Sequence, residues 1–234
     1  SAQPQQAGLN AILTLDSAIQ EIAEEELFLG AKKSEAKKAF AIVANPHTGK
    51  ILAIANYPTF NPNKADTLRL KNTPNFAVTT QLEPGSVLKP IIIASALEQK
   101  TIKEHDLHYC EKTGRYQVDK ESFIHDEHPK AFMTTAEVII HSSNICSYKI
   151  AQSLNKETVY NSIKAFGFCS NKKIIGLPGE KTGQLSNWNN WKPIRFANIS
   201  FGQGLFVTGL EVIQAFSVFA NGGYITKPHV IERI

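Results

Sequence analysis

Long apolar runs are missing from this chain of 234 residues: nothing in it approaches the ~20 consecutive apolar residues that a bilayer-crossing helix needs. Any membrane anchor is therefore expected outside this chain, and the polar start Ser1-Ala2-Gln3-Pro4-Gln5-Gln6 lacks the layout of a signal peptide. Dense blocks of one charge are missing too. The 25 basic and 21 acidic residues are dispersed, for a net charge of +4, which argues against a nucleic-acid partner and leaves a mildly basic surface. Cysteine is scarce: Cys110, Cys146 and Cys169 are widely spaced and, being three, cannot all pair within one chain. That usage fits the cytosol or a periplasmic domain that does not rely on disulfides, and Cys146, in the apolar run after Asn144, reads as a buried thiol. There is no internal repeat, no low-complexity tract and no Gly-x-Ser-x-Gly elbow that would present a serine to a histidine.

What is present is a globular composition, 42% hydrophobic, enough to bury a real core, in one large domain or one and a half. Residues 1–12 read as linker. Thr14 and Asp16 offer caps for a helix carrying Ile19, Ile22, Ala23 and Leu27, and the apolar runs 40–45 and 50–55, joined by Pro46-His47-Thr48-Gly49, read as a strand hairpin. Residues 56–75, with Pro58, Pro62 and Pro74, read as a long surface connection. Residues 100–133 are turn-rich, with a short hairpin expected around Tyr116-Gln117-Val118. Thr134-Thr135-Ala136-Glu137 is a capping box, a second helix is expected from Ile145 to Leu154, and Asn155 caps a third that Gly167 ends. Thr208 to Glu211 is a further capping box, for a helix carrying Val212, Ile213, Phe216 and Phe219.

Two short stretches carry chemistry. In Glu83-Pro84-Gly85-Ser86-Val87-Leu88-Lys89-Pro90 a turn leads into an apolar helix, and the offset of three places Ser86 and Lys89 on one helical face. A serine hydroxyl is a poor nucleophile until a base accepts its proton, and a lysine serves only when desolvation lowers its pKa. The second stretch, Ser142-Ser143-Asn144, presents a hydroxyl and an amide at a break between two helices, where they can line a cleft. Taken singly, both stretches are ordinary capping sequences. Together they match, in order, the first two of the three motifs of penicillin-binding proteins, with Ser143 in place of the aspartate.

The chain resembles the class B penicillin-binding proteins, monofunctional peptidoglycan transpeptidases, over nearly its whole length. Further landmarks are Leu13-Thr14-Leu15-Asp16, the hairpin 42–53, Leu177-Pro178-Gly179-Glu180, and Phe201-Gly202-Gln203-Gly204 with Val207-Thr208. The resemblance implies the α/β penicillin-recognising fold, helices on a mainly antiparallel sheet, with one transpeptidase domain from residue 13 to 234. It implies that Ser86 is acylated by a peptidoglycan stem peptide, that Lys89 accepts its proton, that Ser142 relays a proton to the leaving amine and that Asn144 binds the substrate amide. The Ser86 N–H would form half of an oxyanion hole. The implied setting is the bacterial envelope, on the periplasmic side of the inner membrane, beside cell-wall synthesis or division proteins. β-Lactams would inhibit it, no cofactor would be needed, and Ser-Ser-Asn leans towards septal synthesis. Alternatives with the same acyl-enzyme chemistry are a D,D-carboxypeptidase, a class D-like β-lactamase or a β-lactam sensor; a different class is a non-catalytic scaffold or inactive fragment of the fold.

The third motif departs from the pattern. Lys-Thr-Gly occurs at 112–114 and 181–183, the first ahead of Ser142 and the second in a loop, whereas the family's motif lies on a strand bordering the cleft. Neither is expected to be catalytic, and the strand that carries the family's motif, with later strands, is expected beyond Ile234. His105-Asp106-Leu107-His108-Tyr109-Cys110 and His125-Asp126-Glu127-His128 have metal-ligand residue types, but neither has a full ligand set at recognised spacing, so both read as surface loop. Trp188, Trp191 and Phe201 read as packing around a long loop, and Gly202-Gln203-Gly204 as a close backbone approach.

Overall fold

Asp16 starts the first helix: its carboxylate accepts hydrogen bonds from the N–H groups of Ala18 (3.0 Å) and Ile19 (3.1 Å). The computed structural model of the chain describes residues 8, 10–61, 63, 64 and 74–234. In chain order the elements are β1 (Ile12–Leu13), α1 (Ser17–Lys33), β2 (Ala39–Ala44), β3 (Ile51–Tyr57), α2 (Phe76–Thr79), a 3-10 turn (Gly85–Leu88) and α3 (Lys89–Glu98). Four short strands follow, β4 (Leu107–Tyr109), β5 (Arg115–Gln117), β6 (Phe123–His125) and β7 (Phe132–Thr134). Then come α4 (Thr135–Ile140), α5 (Asn144–Ala165), α6 (Pro193–Ser200), α7 (Gly209–Ala220) and β8 (Ile231–Arg233). The expected linker lies mostly outside the described residues, and its last residue, Ile12, is in β1. Half of the proline-rich connection, Pro62 included, lies outside them as well.

The chain divides into two compact units. The first holds the described residues of Ser1–Thr80, Lys173–Lys181 and Ile213–Ile234. Its centre is the expected hairpin, β2 antiparallel to β3 with Ile42 opposite Ile54 and a bulge at Val43/Ala44. On β3 the burial alternates, with Ile51, Ala53 and Ala55 facing inwards, as a strand with one covered face requires. Helix α1 covers this hairpin, and the Gln20 amide ties it down by donating to the Ile54 carbonyl (2.9 Å) and accepting from the Ile54 N–H (2.8 Å). Thr14, offered by the sequence as a cap, instead donates its buried hydroxyl to the Ile51 carbonyl (2.6 Å). Strand β8 pairs antiparallel with β1.

The second unit holds Gln81–Lys172 and Thr182–Val212. Its core forms where α3 meets α5: Ile91, Ile92 and Ala96 are fully buried, as are Ile145 and Ala151. Thr134 and Glu137 make the expected capping box at the start of α4. Helix α5 contains a break at Asn155 (φ 63°, ψ 166°), whose side chain accepts from the Thr158 N–H (3.0 Å), so Asn155 opens the second half as a cap. Trp191 is buried, stacks on Phe196 at 6.0 Å, and donates its indole N–H to the Ser186 carbonyl (3.0 Å). Between α3 and α4 the strands form two antiparallel ribbons, β5–β6 where the hairpin was expected and β4–β7, which its three-residue strands hide in the sequence.

One expectation is corrected here. Cys146 is not a thiol: it forms a disulfide with Cys110, with Cα atoms 5.0 Å apart and both residues fully buried. Sparse, widely spaced cysteines say nothing about proximity; the ribbon β4–β7 brings Cys110 back beside the first turn of α5. Cys169 is the free, buried thiol, and burial pushes its pKa up to about 12.

Candidate active site

Ser86 lies on a turn that is held from behind by the segment 202–207. Leu82 and Val207 exchange backbone hydrogen bonds in both directions (2.9 and 2.8 Å), the Gly85 N–H donates to the Gly202 carbonyl (2.9 Å), and the Gly204 N–H donates to the Glu83 carboxylate (2.7 Å). The approach is so close that a Cβ on Gly202, which already has a φ of +84°, would overlap the Gly85 backbone. This is the backbone contact expected of Gly202-Gln203-Gly204, and it explains why glycine stands there. The turn runs as a 3-10 helix into α3, with Pro90 in the first helical turn, where no hydrogen bond is lost. In the first turn of such a helix the Ser86 N–H has no intrahelical acceptor, which leaves it as a donor.

The opposite wall is the turn between α4 and α5. Helix α4 ends when the N–H groups of His141, Ser142 and Ser143 fold back onto the carbonyls of Glu137, Ile139 and Val138. Ser142 adopts a left-handed conformation, φ 54°, which is uncommon for a residue with a side chain and clusters at functional positions. It is exposed, as is Ser86. Ser143 is buried and caps α5 by accepting from the Cys146 N–H (3.0 Å).

These two walls meet through three side chains. The Ser142 hydroxyl donates to Ser86 Oγ (2.8 Å), and Lys89 Nζ donates to Ser142 Oγ (2.9 Å) and to the Ser142 carbonyl. Ser86, Ser142 and Lys89 thus form one hydrogen-bonded line. Among the described residues Lys89 reaches Ser86 through Ser142, whereas the offset of three had suggested a direct meeting. Lys89 is 1% exposed. Burial lowers its pKa from 10.5 to about 8, with the Asp126 charge acting against that fall. At pH 7 about a tenth of such lysines carry a free amine, ~300-fold more than at the unperturbed value.

Asn144 joins the same wall, its side-chain N–H donating to the His125 carbonyl (2.9 Å). Asp126 was noticed in the sequence only as a metal-ligand type. It is a buried anchor, accepting from the Ser143 hydroxyl (2.5 Å), the Asn144 N–H (2.6 Å) and the Ile145 N–H (3.0 Å). Nothing local in His125-Asp126-Glu127-His128 marks it, because its partners lie 17 to 19 residues away. Three other residues of metal-ligand type have partners too: Cys110 is in the disulfide, His108 meets the Thr135 hydroxyl (2.9 Å), and Asp106 accepts from the Lys103 N–H (2.7 Å).

Neither Lys-Thr-Gly lies on a strand. Residues 112–114 form the turn ahead of β5, and 181–183 are loop, where the Gly183 N–H donates to Glu211 (2.8 Å). Glu211 also accepts from the N–H groups of Cys169 (3.0 Å) and Thr208 (3.0 Å), so one buried carboxylate ties three loops together. Its pKa is raised by burial, against the pull of those donors.

Comparison with known proteins returns one family over most of the chain: the model described as the penicillin binding protein transpeptidase domain matches residues 39–234. A protein of Neisseria gonorrhoeae named "Probable peptidoglycan D,D-transpeptidase PenA" is 34% identical over 94% of this chain and 37% of its own length. The peptidoglycan D,D-transpeptidase FtsI of Buchnera aphidicola is 33% identical over 96% of this chain and 39% of its own length. The chain therefore spans under two fifths of these relatives. Among solved structures, penicillin binding protein 3 from Mycobacterium tuberculosis, complexed with aztreonam, superposes with a TM-score of 0.87 at 29% identity, over 95% of this chain and 49% of that one.

Proposed function

The chain belongs to the penicillin-binding protein transpeptidase family, and from that premise we propose that it carries the acylating half of a serine D,D-transpeptidase that cross-links peptidoglycan stem peptides. The observation that carries this reading is the line Ser86–Ser142–Lys89, a nucleophile linked through a relay to a base of lowered pKa. With Lys89 neutral, the two hydroxyls rotate so that Ser86 donates to Ser142 and Ser142 donates to the amine. Ser86 Oγ then attacks the carbonyl of the penultimate D-alanine while its proton moves along the line to Lys89. The oxyanion faces the Ser86 N–H. As the tetrahedral intermediate collapses, the proton returns through Ser142 to the departing amine, and D-alanine leaves. An amine from a neighbouring stem peptide attacks the ester; its proton passes to Lys89 and back through Ser142 to Ser86 Oγ, which leaves as the hydroxyl. Asn144, fixed by its bond to the His125 carbonyl, presents the rest of its amide to the substrate backbone.

A β-lactam presents the same kind of acyl carbon and would stall as an ester on Ser86. The Cys110–Cys146 disulfide supports an oxidising compartment outside the cytoplasm, where peptidoglycan is cross-linked. The Ser142-Ser143-Asn144 form of the motif supports a septal role, beside cell-division proteins. Labelling with a fluorescent penicillin tests the reading. Stable label on Ser86 that is absent from Ser86→Ala is the expected result; rapid loss of the label would make the protein a β-lactamase, and no label on the complete polypeptide would make it a scaffold.

A further inference from the structure

Three hydrogen bonds converge on a side chain that touches neither of the hydroxyls in the Ser86–Ser142–Lys89 line. Asp126 is 8% exposed, on the loop after β6, and binds three consecutive residues of the opposite wall: the Ser143 hydroxyl and the N–H groups of Asn144 and Ile145. These include orphan donors of the first turn of α5, whose positive end favours a carboxylate. The Asn144 side chain, bound to the neighbouring His125 carbonyl, adds a fourth tie between the same two segments. Ser142 is the residue immediately before this clamp. Its left-handed backbone persists only if its neighbours hold it, and its carbonyl and hydroxyl are what Lys89 grips.

We propose that Asp126 is the positioning residue of this site: a buried carboxylate that sets the Ser142–Ser143–Asn144 wall, and with it the hydroxyl and carbonyl that Lys89 grips. The inference rests on the transpeptidase reading for its kinetic consequences. The elements packed against α3 offer other charges, but these are engaged elsewhere: Lys149 with Glu111, Glu137 with Thr134, and His141 with Lys130. Tyr148 is on the same helix and is neutral at physiological pH, its pKa being raised by burial. Asp126 is the charge that acts on Lys89, and it favours the protonated amine.

Two substitutions separate the roles. In Asp126→Asn the remaining carbonyl still accepts from the Asn144 and Ile145 N–H groups, and the amide donates to Ser143 Oγ, so the wall stays in place while the charge goes. Asp126→Ala removes the clamp as well. The experiment measures second-order acylation of the full polypeptide by a fluorescent penicillin from pH 5.5 to 9.5, per folded molecule as judged by circular dichroism. It also follows the titration of the Lys89 ε-carbon by NMR, assigned with Lys89→Met. The expected result for Asp126→Asn is a midpoint moved to the acid side of wild type in both readouts. The expected result for Asp126→Ala is the same acid shift with a loss of about 100-fold on the alkaline plateau, the scale of a small misplacement of a catalytic group. An unmoved Lys89 midpoint in Asp126→Asn overturns the electrostatic role, and wild-type acylation in folded Asp126→Ala overturns the positioning role. Should Asp126→Ala not fold, Asp126→Glu takes its place: it keeps the charge but displaces the clamp by one methylene, and wild-type acylation in that variant likewise overturns the positioning role. Should the wild type not acylate, the transpeptidase reading fails, and the NMR midpoint still tests the link from Asp126 to Lys89.

Discussion

Raising the pH should switch this site on in a window set by one side chain. With a pKa of about 8 for Lys89, the free-amine fraction climbs about tenfold from pH 6 to 7, about fivefold from pH 7 to 8 and less than about twofold from pH 8 to 9. Acylation of Ser86, followed by stopped-flow fluorescence with a penicillin, should trace that curve. A lysine at its unperturbed value would keep gaining tenfold per unit through pH 9. The same shift has a stability signature. Lys89 holds a proton in the unfolded chain up to about pH 10.5 but releases it at about pH 8 when folded, so stability rises between these values and is lowest below pH 8. At pH 9.5 that gain relative to pH 7 is about 2 kcal/mol. Urea denaturation of wild type against Lys89→Met at the two pH values isolates it, since groups common to both proteins cancel in the difference. Acylation that climbs tenfold per unit above pH 8, or a stability difference that does not change with pH, would refute the desolvated-base argument.

Other outcomes follow from single contacts. Ser142→Ala removes the relay between Lys89 and Ser86, and acylation should fall by about 10²–10⁴-fold with the fold retained, measured as the label formed per folded molecule. Gly202→Ala places a Cβ into the Gly85 backbone at a positive φ, so thermal melting should drop and penicillin labelling of Ser86 weaken together. Replacing Cys110 and Cys146 by serine opens a link with a sequence separation of 36, a loss of about 4 kcal/mol by loop entropy, read by denaturant unfolding in oxidised and reduced buffer. Glu211→Ala orphans the N–H groups of Cys169, Gly183 and Thr208, at about 1–3 kcal/mol each, and is expected to appear as a large fall in melting temperature.

Much of the local structure was legible because its causes are local. The caps at Asp16, Thr134 and Asn155 and the Thr208–Glu211 box are written within four residues of the bonds they make, and the β2–β3 hairpin within two adjacent apolar runs and the turn that joins them. The Ser86 turn and the Ser142 break were legible for the same reason; glycine at 202 signalled a close backbone approach, while its partner, Gly85, came only with the fold. The β4–β7 ribbon was not, since its strands are three residues long and far apart in sequence. The disulfide was hidden with it. Asp126 and Glu211 each carry more than their sequence neighbourhood shows, because a buried carboxylate is defined by the donors that the fold brings to it.

The sequence by itself determined which residue types stand at the two walls and which short helices and turns carry them, because propensity, capping and motif order depend on near neighbours. Tertiary structure alone decided that Lys89 reaches Ser86 by way of Ser142 and that its amine is desolvated. It also decided that Asp126 anchors the far wall. These are properties of distance and burial between segments 17 to 56 residues apart, and only the packed chain sets them.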